Sequence, residues 1–246
     1  MQAEFFNYKI MICLVDERIS EKCERSLLMR GFQVIKLPKS ERLGDAVCSH
    51  PDMLMFCHRN RIIASADYCE RYPYIFSDIR ELSANTEFTF TDDVFEKEYP
   101  KDALFNALVI GDKIFIKTDT ASPAVIDYAR GQNLKIISVK QGYPACTVLA
   151  FGKNAITADT GMAKILSSAG IDVTLISNGG ISLPPYEYGF IGGACGVYKS
   201  SVYFLGDISK HRNGEKICEV IKAKGYEPIS LSDEPLRDLG RIIFID

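Results

Sequence analysis

Apolar and polar positions recur along this chain in a fixed order: apolar run, small polar turn, apolar run, acid, helix-spaced apolar residues, glycine, apolar run. The span Cys146–Leu175 shows the whole unit. Thr147–Phe151 and Ala155–Ala158 flank Gly152-Lys153-Asn154, a pattern that predicts two strands joined by a tight hairpin turn. Asp159 or Thr160 offers a helix N-cap, and Met162, Ile165, Leu166 and Ala169 recur at helical spacing. Gly170 then stops the helix, and Val173–Ile176 makes a third strand.

The same order repeats on either side. The first unit has strand Tyr8–Val15 ending at Asp16, helix Glu17–Arg30 with Ile19, Cys23, Leu27 and Leu28 on one face, stop Gly31 and strand Phe32–Leu37, but lacks the opening strand of its hairpin. The second has Met53–Phe56, turn His58-Arg59-Asn60, Ile62–Ala66 and Asp67; its irregular remainder, 68–103, yields a helical stretch near Asp78–Leu82 and a strand at Glu87–Thr91. The third has Ala107–Ile110, turn Gly111-Asp112, Lys113–Lys117, Asp119, a helix around Pro123–Arg130, stop Gly131 and Leu134–Val139. The fifth has Gly196–Lys199, turn Ser200-Ser201, Val202–Leu205, Asp207, helix Gly214–Lys224, stop Gly225 and Tyr226–Leu231. Between the fourth and fifth units, Asn178–Gly193 is too rich in glycine and proline for regular structure and long enough to be a functional loop.

Acids at Asp16, Asp67, Asp119, Asp159 and Asp207 and glycines at Gly31, Gly131, Gly170 and Gly225 recur at intervals of roughly 40–55 residues, the period of an array of supersecondary units. An open Rossmann-like sheet satisfies the strand-helix-strand order but has no need of the extra hairpin strand in every unit. A closed ring of five units uses it. The leftover strand Gly240–Ile245 then supplies the opening strand that the first unit lacks, and closure removes the exposed sheet edges. The expected fold is an α/β ring of five strand-strand-helix-strand repeats forming one domain over residues 1–246.

Composition narrows the function classes. A net charge of −3 without a Lys/Arg block argues against a nucleic-acid or anionic-membrane surface and leaves small molecules or proteins as partners. The N-terminal apolar run Ile10–Val15 is too short for a signal segment or a membrane span, so a cytoplasmic protein is expected. Its eight cysteines form no CxxC pair and read as reduced thiols, mostly small buried hydrophobes. No metal and no organic cofactor are expected, because His50, His58 and His211 have no cysteine partners at metal-ligand spacing.

The candidate chemistry sits where the units begin. Cys195 lies in Gly192-Gly193-Ala194-Cys195-Gly196, where glycines let a substrate approach the backbone closely and a thiolate suits attack on an electron-poor carbon. The segment mimics a dinucleotide fingerprint, but a hairpin rather than a helix follows it. Cys146 holds the same repeat position and is a rival nucleophile, with Gln141 and Tyr143 nearby to donate hydrogen bonds. Asp52, Asn106, Cys146 and Cys195 each open the first strand of a unit, so a ring brings them to one central cluster. The recurrent acids read first as helix caps; Asp159, with Thr160 as an alternative cap, is the exception that could bind a substrate. Tyr186, Glu187 and Tyr188 on the long loop are placed to cover a channel mouth or to anchor the fold.

The layout from Tyr8 to Asp246, with the Gly192–Gly196 segment and His50-Pro51-Asp52, resembles the pentein superfold, the five-bladed α/β propeller of guanidino-group-modifying enzymes. The resemblance implies a substrate in the central channel and an attacking cysteine, Cys195 or Cys146. It also implies His50 as acid/base and Asp52 as a carboxylate that holds guanidinium nitrogens. Non-catalytic ribosome anti-association factors are similar in fold. Two readings follow: a cysteine-dependent hydrolase or amidinotransferase-like enzyme for a small guanidine or amine, and a ring of the same fold that binds without chemistry.

Overall fold

The structure, a computed structural model, describes residues 11–245. The first blade has β1 (Met11–Asp16), α1 (Glu21–Met29) and β2 (Phe32–Leu37). Ser20 caps α1 by accepting from the Cys23 amide, Cys23 and Leu27 are its buried positions, and Gly31 turns the chain at φ 85°. The second has α2 (Pro51–Leu54), β3 (Met55–His58), β4 (Arg61–Ser65), α3 (Ala66–Arg71), α4 (Pro73–Leu82) and β5 (Glu87–Thr91). The third has β6 (Ala107–Ile110), β7 (Lys113–Ile116), α5 (Pro123–Gly131) and β8 (Lys135–Ser138). The fourth has α6 (Pro144–Thr147), β9 (Val148–Phe151), β10 (Asn154–Thr157), α7 (Thr160–Ser168) and β11 (Asp172–Leu175). The fifth has β12 (Cys195–Tyr198), β13 (Ser201–Phe204), α8 (Gly214–Ala223) and β14 (Glu227–Ser230), and β15 (Ile243–Ile245) ends the described chain.

These strands form five three-stranded sheets of one design: an antiparallel hairpin whose second strand also pairs in parallel with the strand after the helix. The first sheet borrows its outer hairpin strand from the far end of the chain. Residues Ile12, Cys13 and Leu14 of β1 face Ile245, Phe244 and Ile243 of β15 in antiparallel register, while β1 pairs in parallel with β2. The expected closure is therefore present; Tyr8–Ile10 of the expected first strand and the terminal Asp246 lie outside the described residues. The leading strands β6, β9, β12 and β15 neighbour one another in succession, and α1, α5, α7 and α8 each pack on their own sheet. Ile217 and Ile221 of α8, one turn apart, bury against Val202 and Phe204. Each such side chain contributes about 1.5–3 kcal/mol. Among the described residues no helix is long and apolar enough to cross a membrane.

The differences from the sequence-based expectation are local and physical. Met53, Leu54 and Thr147, expected to open strands, lie instead in the one-turn helices α2 and α6, each begun by a proline whose fixed φ suits a first helical position. Helix α1 starts late because Ser20 is the cap, while the Asp16 carboxylate is taken up by the Arg18 amide (2.7 Å) and guanidinium (2.6 and 2.9 Å). Asp67 lies inside α3, paired with Arg42, and Asp119 pairs with Lys117. Only Asp159 and Asp207 accept backbone N–H groups as caps. Gly131 is helical, and Asn133 takes the left-handed position at φ 54°.

Candidate active site

The short helices α2 and α6 deliver the central groups. His50 precedes Pro51 with its amide on the Val47 carbonyl (3.1 Å), and the Asp52 amide donates to Gly240 O (3.3 Å). This draws the start of α2 against the segment leading into β15. Asn106, one residue before β6, clips α6 in place: its Oδ1 accepts from the Ala145 amide (2.8 Å) and its Nδ2 donates toward Cys146 Sγ (3.4 Å). The thiol of Cys146 in turn donates to Asp52 Oδ2 at 2.8 Å.

Glycines set how closely these pieces approach. A Cβ on Gly192 would meet the carbonyls of Ala145, Val148 and Cys146, and the Gly193 amide donates to Cys146 O (2.8 Å). A Cβ on Gly189 or Gly193 would strike Asp238, and one on Gly240 would strike His50. The Gly-Gly segment thus seats α6 on one side and Asp238 on the other.

Burial dominates the electrostatics. His50 is 1% exposed, with Nδ1 4.0 Å from Asp238 Oδ1, Nε2 3.9 Å from Asp16 Oδ2, and no hydrogen-bond partner on either nitrogen. Desolvation holds it neutral, with its pKa pushed down to about 3 against the opposing pull of Asp16. Asp238 accepts from the Phe190 amide (2.8 Å) and the Gly240 amide (3.1 Å), yet burial still pushes its carboxyl up to about 7. Burial also raises Asp52, and its Oδ1 has no partner. Burial, then the charges of Asp52 and Asp238, hold the Cys146 thiol well above its ordinary range. The resting thiol is thus protonated and donates to Asp52. His50, Asp52 and Cys146 present ligand atoms all within 4.8 Å of one another, a Cys/His/Asp set able to hold a metal ion.

Above this group opens a cavity of about 480 Å³. Its floor carries Cys146, His50 and Asp238; Tyr99, Asp102 and Tyr143 form one wall, and Leu183, Tyr186, Glu187, Tyr188 and Phe190 of the long loop line the rest. Asp102 Oδ2 accepts from the Tyr143 hydroxyl (2.6 Å), while its buried Oδ1 has no partner. No lysine or arginine is among the residues lining it, whereas Asp102, Glu187 and Asp238 are. The chemistry suits a cation, held by carboxylates and tyrosine faces.

Of the residues singled out from sequence, Cys146, Asp52, His50, Asn106 and Tyr143 come together here, with Gly192 and Gly193 behind them. Cys195 lies apart: its thiol donates to Ile191 O (3.1 Å) within an apolar cluster containing Phe151, Val202 and Phe204, and burial pushes it up to about 12. Register explains the separation. Cys195 is the first residue of β12 itself, whereas Asp52 and Cys146 lie in turns ahead of β3 and β9. Gln141 and Asp159 line a separate surface cleft: Gln141 Nε2 donates to Asp159 Oδ2 (3.0 Å), and Asp159 Oδ1 caps α7 through the Met162 amide (2.8 Å). Gln141 Oε1 also accepts from the Tyr143 amide (3.2 Å) and so supports the cavity wall. Asp238 and Asp102 escaped the sequence reading, since each is a single acid in an irregular segment. The one available signal was Gly240 two residues after Asp238, marking a tight turn before the closing strand.

A family model described as "Family of unknown function (DUF6873)" matches residues 14–243. No curated protein sequence matches the chain. Among solved structures, a dimethylarginine dimethylaminohydrolase adduct superposes with a TM-score of 0.54 at 15% identity, covering 92% of each chain. An amidinotransferase from Microseira wollei in the saxitoxin biosynthetic pathway gives 0.52 at 13% identity, covering 91% of this chain and 89% of its own. The agmatine deiminase of C. jejuni gives 0.53 at 10% identity, covering 91% and 87%. All three are pentein-fold guanidino-modifying enzymes. The chain accordingly belongs to the DUF6873 family, and its five closed three-stranded blades are those of the pentein α/β propeller.

Proposed function

We propose that the ring is a cysteine-dependent enzyme for a small guanidine- or amine-containing molecule, with Cys146 as the nucleophile. The observation that carries this reading is the 2.8 Å contact from Cys146 Sγ to Asp52 Oδ2, with Cys146 on the floor of a cavity walled by acids and tyrosines. The structural neighbours named as deiminase and amidinotransferase modify guanidino groups through a cysteine, which supports the same class here. A cationic ligand restores the charge that burial removes and favours ionisation of the thiol and the carboxylates together. In this scheme Cys146 gives its proton to Asp52 as Sγ bonds to the guanidinium carbon, and Asp52 passes that proton to the departing amine. Water then attacks the S-linked carbon, losing one proton to the neutral imidazole of His50, which returns it to the thiolate as the C–S bond breaks, while the second proton of that water leaves the product oxygen to solvent. A second amine in place of water gives amidino transfer. No lysine or arginine lines the cavity to receive a carboxylate, which favours a ligand without one.

A second reading, a ring that binds such a cation without chemistry, is favoured by the protonated resting thiol. Incubation with guanidines and amidines lacking a carboxylate, followed by ammonia or alkylamine assay, tests the two. Turnover lost in Cys146→Ala supports the enzyme; tight binding by both chains with no product supports the binder. A small ligand rather than nucleic acid or membrane, and a cytoplasmic setting, belong to the same proposal. They rest on the net charge of −3 and on eight cysteines without a disulfide.

A further inference from the structure

Asp52 bonds to Cys146, which lines the first cavity, but itself lines a second. The first holds Cys146; the second, of about 180 Å³, is walled by Asp52, Arg241, Arg59, His58 and Cys57, with apolar side chains around them. Its charge is the reverse of the first, since two arginines line it. Arg59 is tied to Gln132 (3.2 Å) and His58 Nδ1 to the Tyr128 hydroxyl (3.0 Å), but Arg241 is different. Its Nε is buried with no hydrogen-bond partner, and its guanidinium makes no ion pair among the described residues. The carboxylate of Asp52 acts on it electrostatically, yet Asp52 Oδ2 is already engaged by Cys146.

The backbone points the same way. Arg241 sits in the left-handed region at φ 62°, directly after Gly240 at φ 66°, with its amide on Gly193 O (2.8 Å). Glycine is the residue that fits such a position without strain, so a long cationic side chain here calls for a compensating contact. No such contact is made by the described residues. A guanidinium buried at Nε and unpaired is a fork matched to a planar or tetrahedral oxyanion.

We propose that this second cavity is a binding site for a small oxyanion, a carboxylate or phosphate group, held by the guanidinium of Arg241. The site goes beyond the cation-binding cavity and does not depend on Cys146 being a nucleophile.

The test is a titration of the full chain with inorganic phosphate and, separately, with acetate. Binding is read by calorimetry and by the thermal midpoint, with chloride at matched ionic strength as the reference. A saturable one-to-one response to at least one oxyanion is expected, and the stronger of the two identifies the source. Arg241→Gly removes the guanidinium while relieving the left-handed backbone, so it should fold and lose about tenfold or more in affinity. Arg241→Met is the second variant should the glycine chain fail to fold. A response no greater than that to chloride, or one undiminished in a folded Arg241 variant, overturns the proposal.

Discussion

Cys146 and Asp52, 94 residues apart in sequence, meet through a thiol-to-carboxylate hydrogen bond of 2.8 Å. The partner of this cysteine is thus an acid rather than a cation that would stabilise its thiolate. Asp52 adds its charge to burial in raising the thiol, so Asp52→Asn should lower the Cys146 pKa while removing the proton acceptor. Thiolate absorbance against pH should shift to lower pH in the variant, and turnover of a guanidine substrate should fall by about 100-fold or more. An unchanged or raised thiol pKa would contradict the arrangement.

Gly193 lies where any side chain would collide with the carboxyl of Asp238. Gly193→Ala should cost about 1–3 kcal/mol of stability by overpacking a rigid site. Gly111→Ala makes a useful comparison: its φ of 61° carries backbone strain but no atom lies within 4 Å of the added Cβ, and it should cost about 1 kcal/mol. Equal losses in denaturant melts of the two variants would argue against the seating role of the Gly-Gly segment.

Closure of the ring rests on three residue pairs between β1 and β15. Removing Gly240–Asp246 exposes the edge of β1 that pairs with β15, uncovers the side of β12 packed against β15 and strips the turn that holds the Asp52 amide. The truncated chain should be recovered only as insoluble protein; a soluble, cooperatively melting product would sink the closure argument.

His50 and Asp238 give stability opposite dependences on pH. His50 stays neutral when folded down to about pH 3 but protonates near 6.5 when unfolded, so across that window the unfolded chain holds the extra proton and stability rises with pH. Asp238 keeps its proton when folded up to about 7, against 3.8 unfolded, so there the folded chain holds the extra proton and stability falls as pH rises. Their effects oppose between about pH 4 and 6.5. Relative to the parent chain, Asp238→Asn should shift the slope of stability against pH by about +1.4 kcal/mol per pH unit across this range, and His50→Gln by a similar amount in the opposite sense. Identical slopes in the two variants, measured by urea unfolding at three pH values, would refute the assignment.

The five-unit ring was legible because each hairpin turn and each helix carries a local signal, as in Gly152-Lys153 and the Asp159 cap. The missing strand of the first unit then had one candidate to fill it. The short helices α2 and α6 were not legible, since continuous apolar runs such as Met53–Phe56 fit strand and helix equally and only Pro51 and Pro144 hinted at a turn. Those turns decide which cysteine meets the acid. Repeat position alone treats Cys146 and Cys195 alike, but the start of β12 at Cys195 buries that thiol against Ile191. Asp102 and Arg241 follow from tertiary contact alone, and only Gly240, two residues on, marks the turn that carries Asp238.

The central claim is that a cation entering the cavity meets a thiol that can react there. The most direct measurement is the rate of alkylation of each of the eight cysteines, by peptide mapping, with an amidine-bearing chloro-reagent and with neutral iodoacetamide. The account predicts that iodoacetamide labels the partly exposed Cys57, Cys69 and Cys218 ahead of buried Cys146, whereas the amidine labels Cys146 first and fails to do so in Asp52→Asn. An amidine that shows the same order as iodoacetamide, or that prefers Cys195, would contradict it.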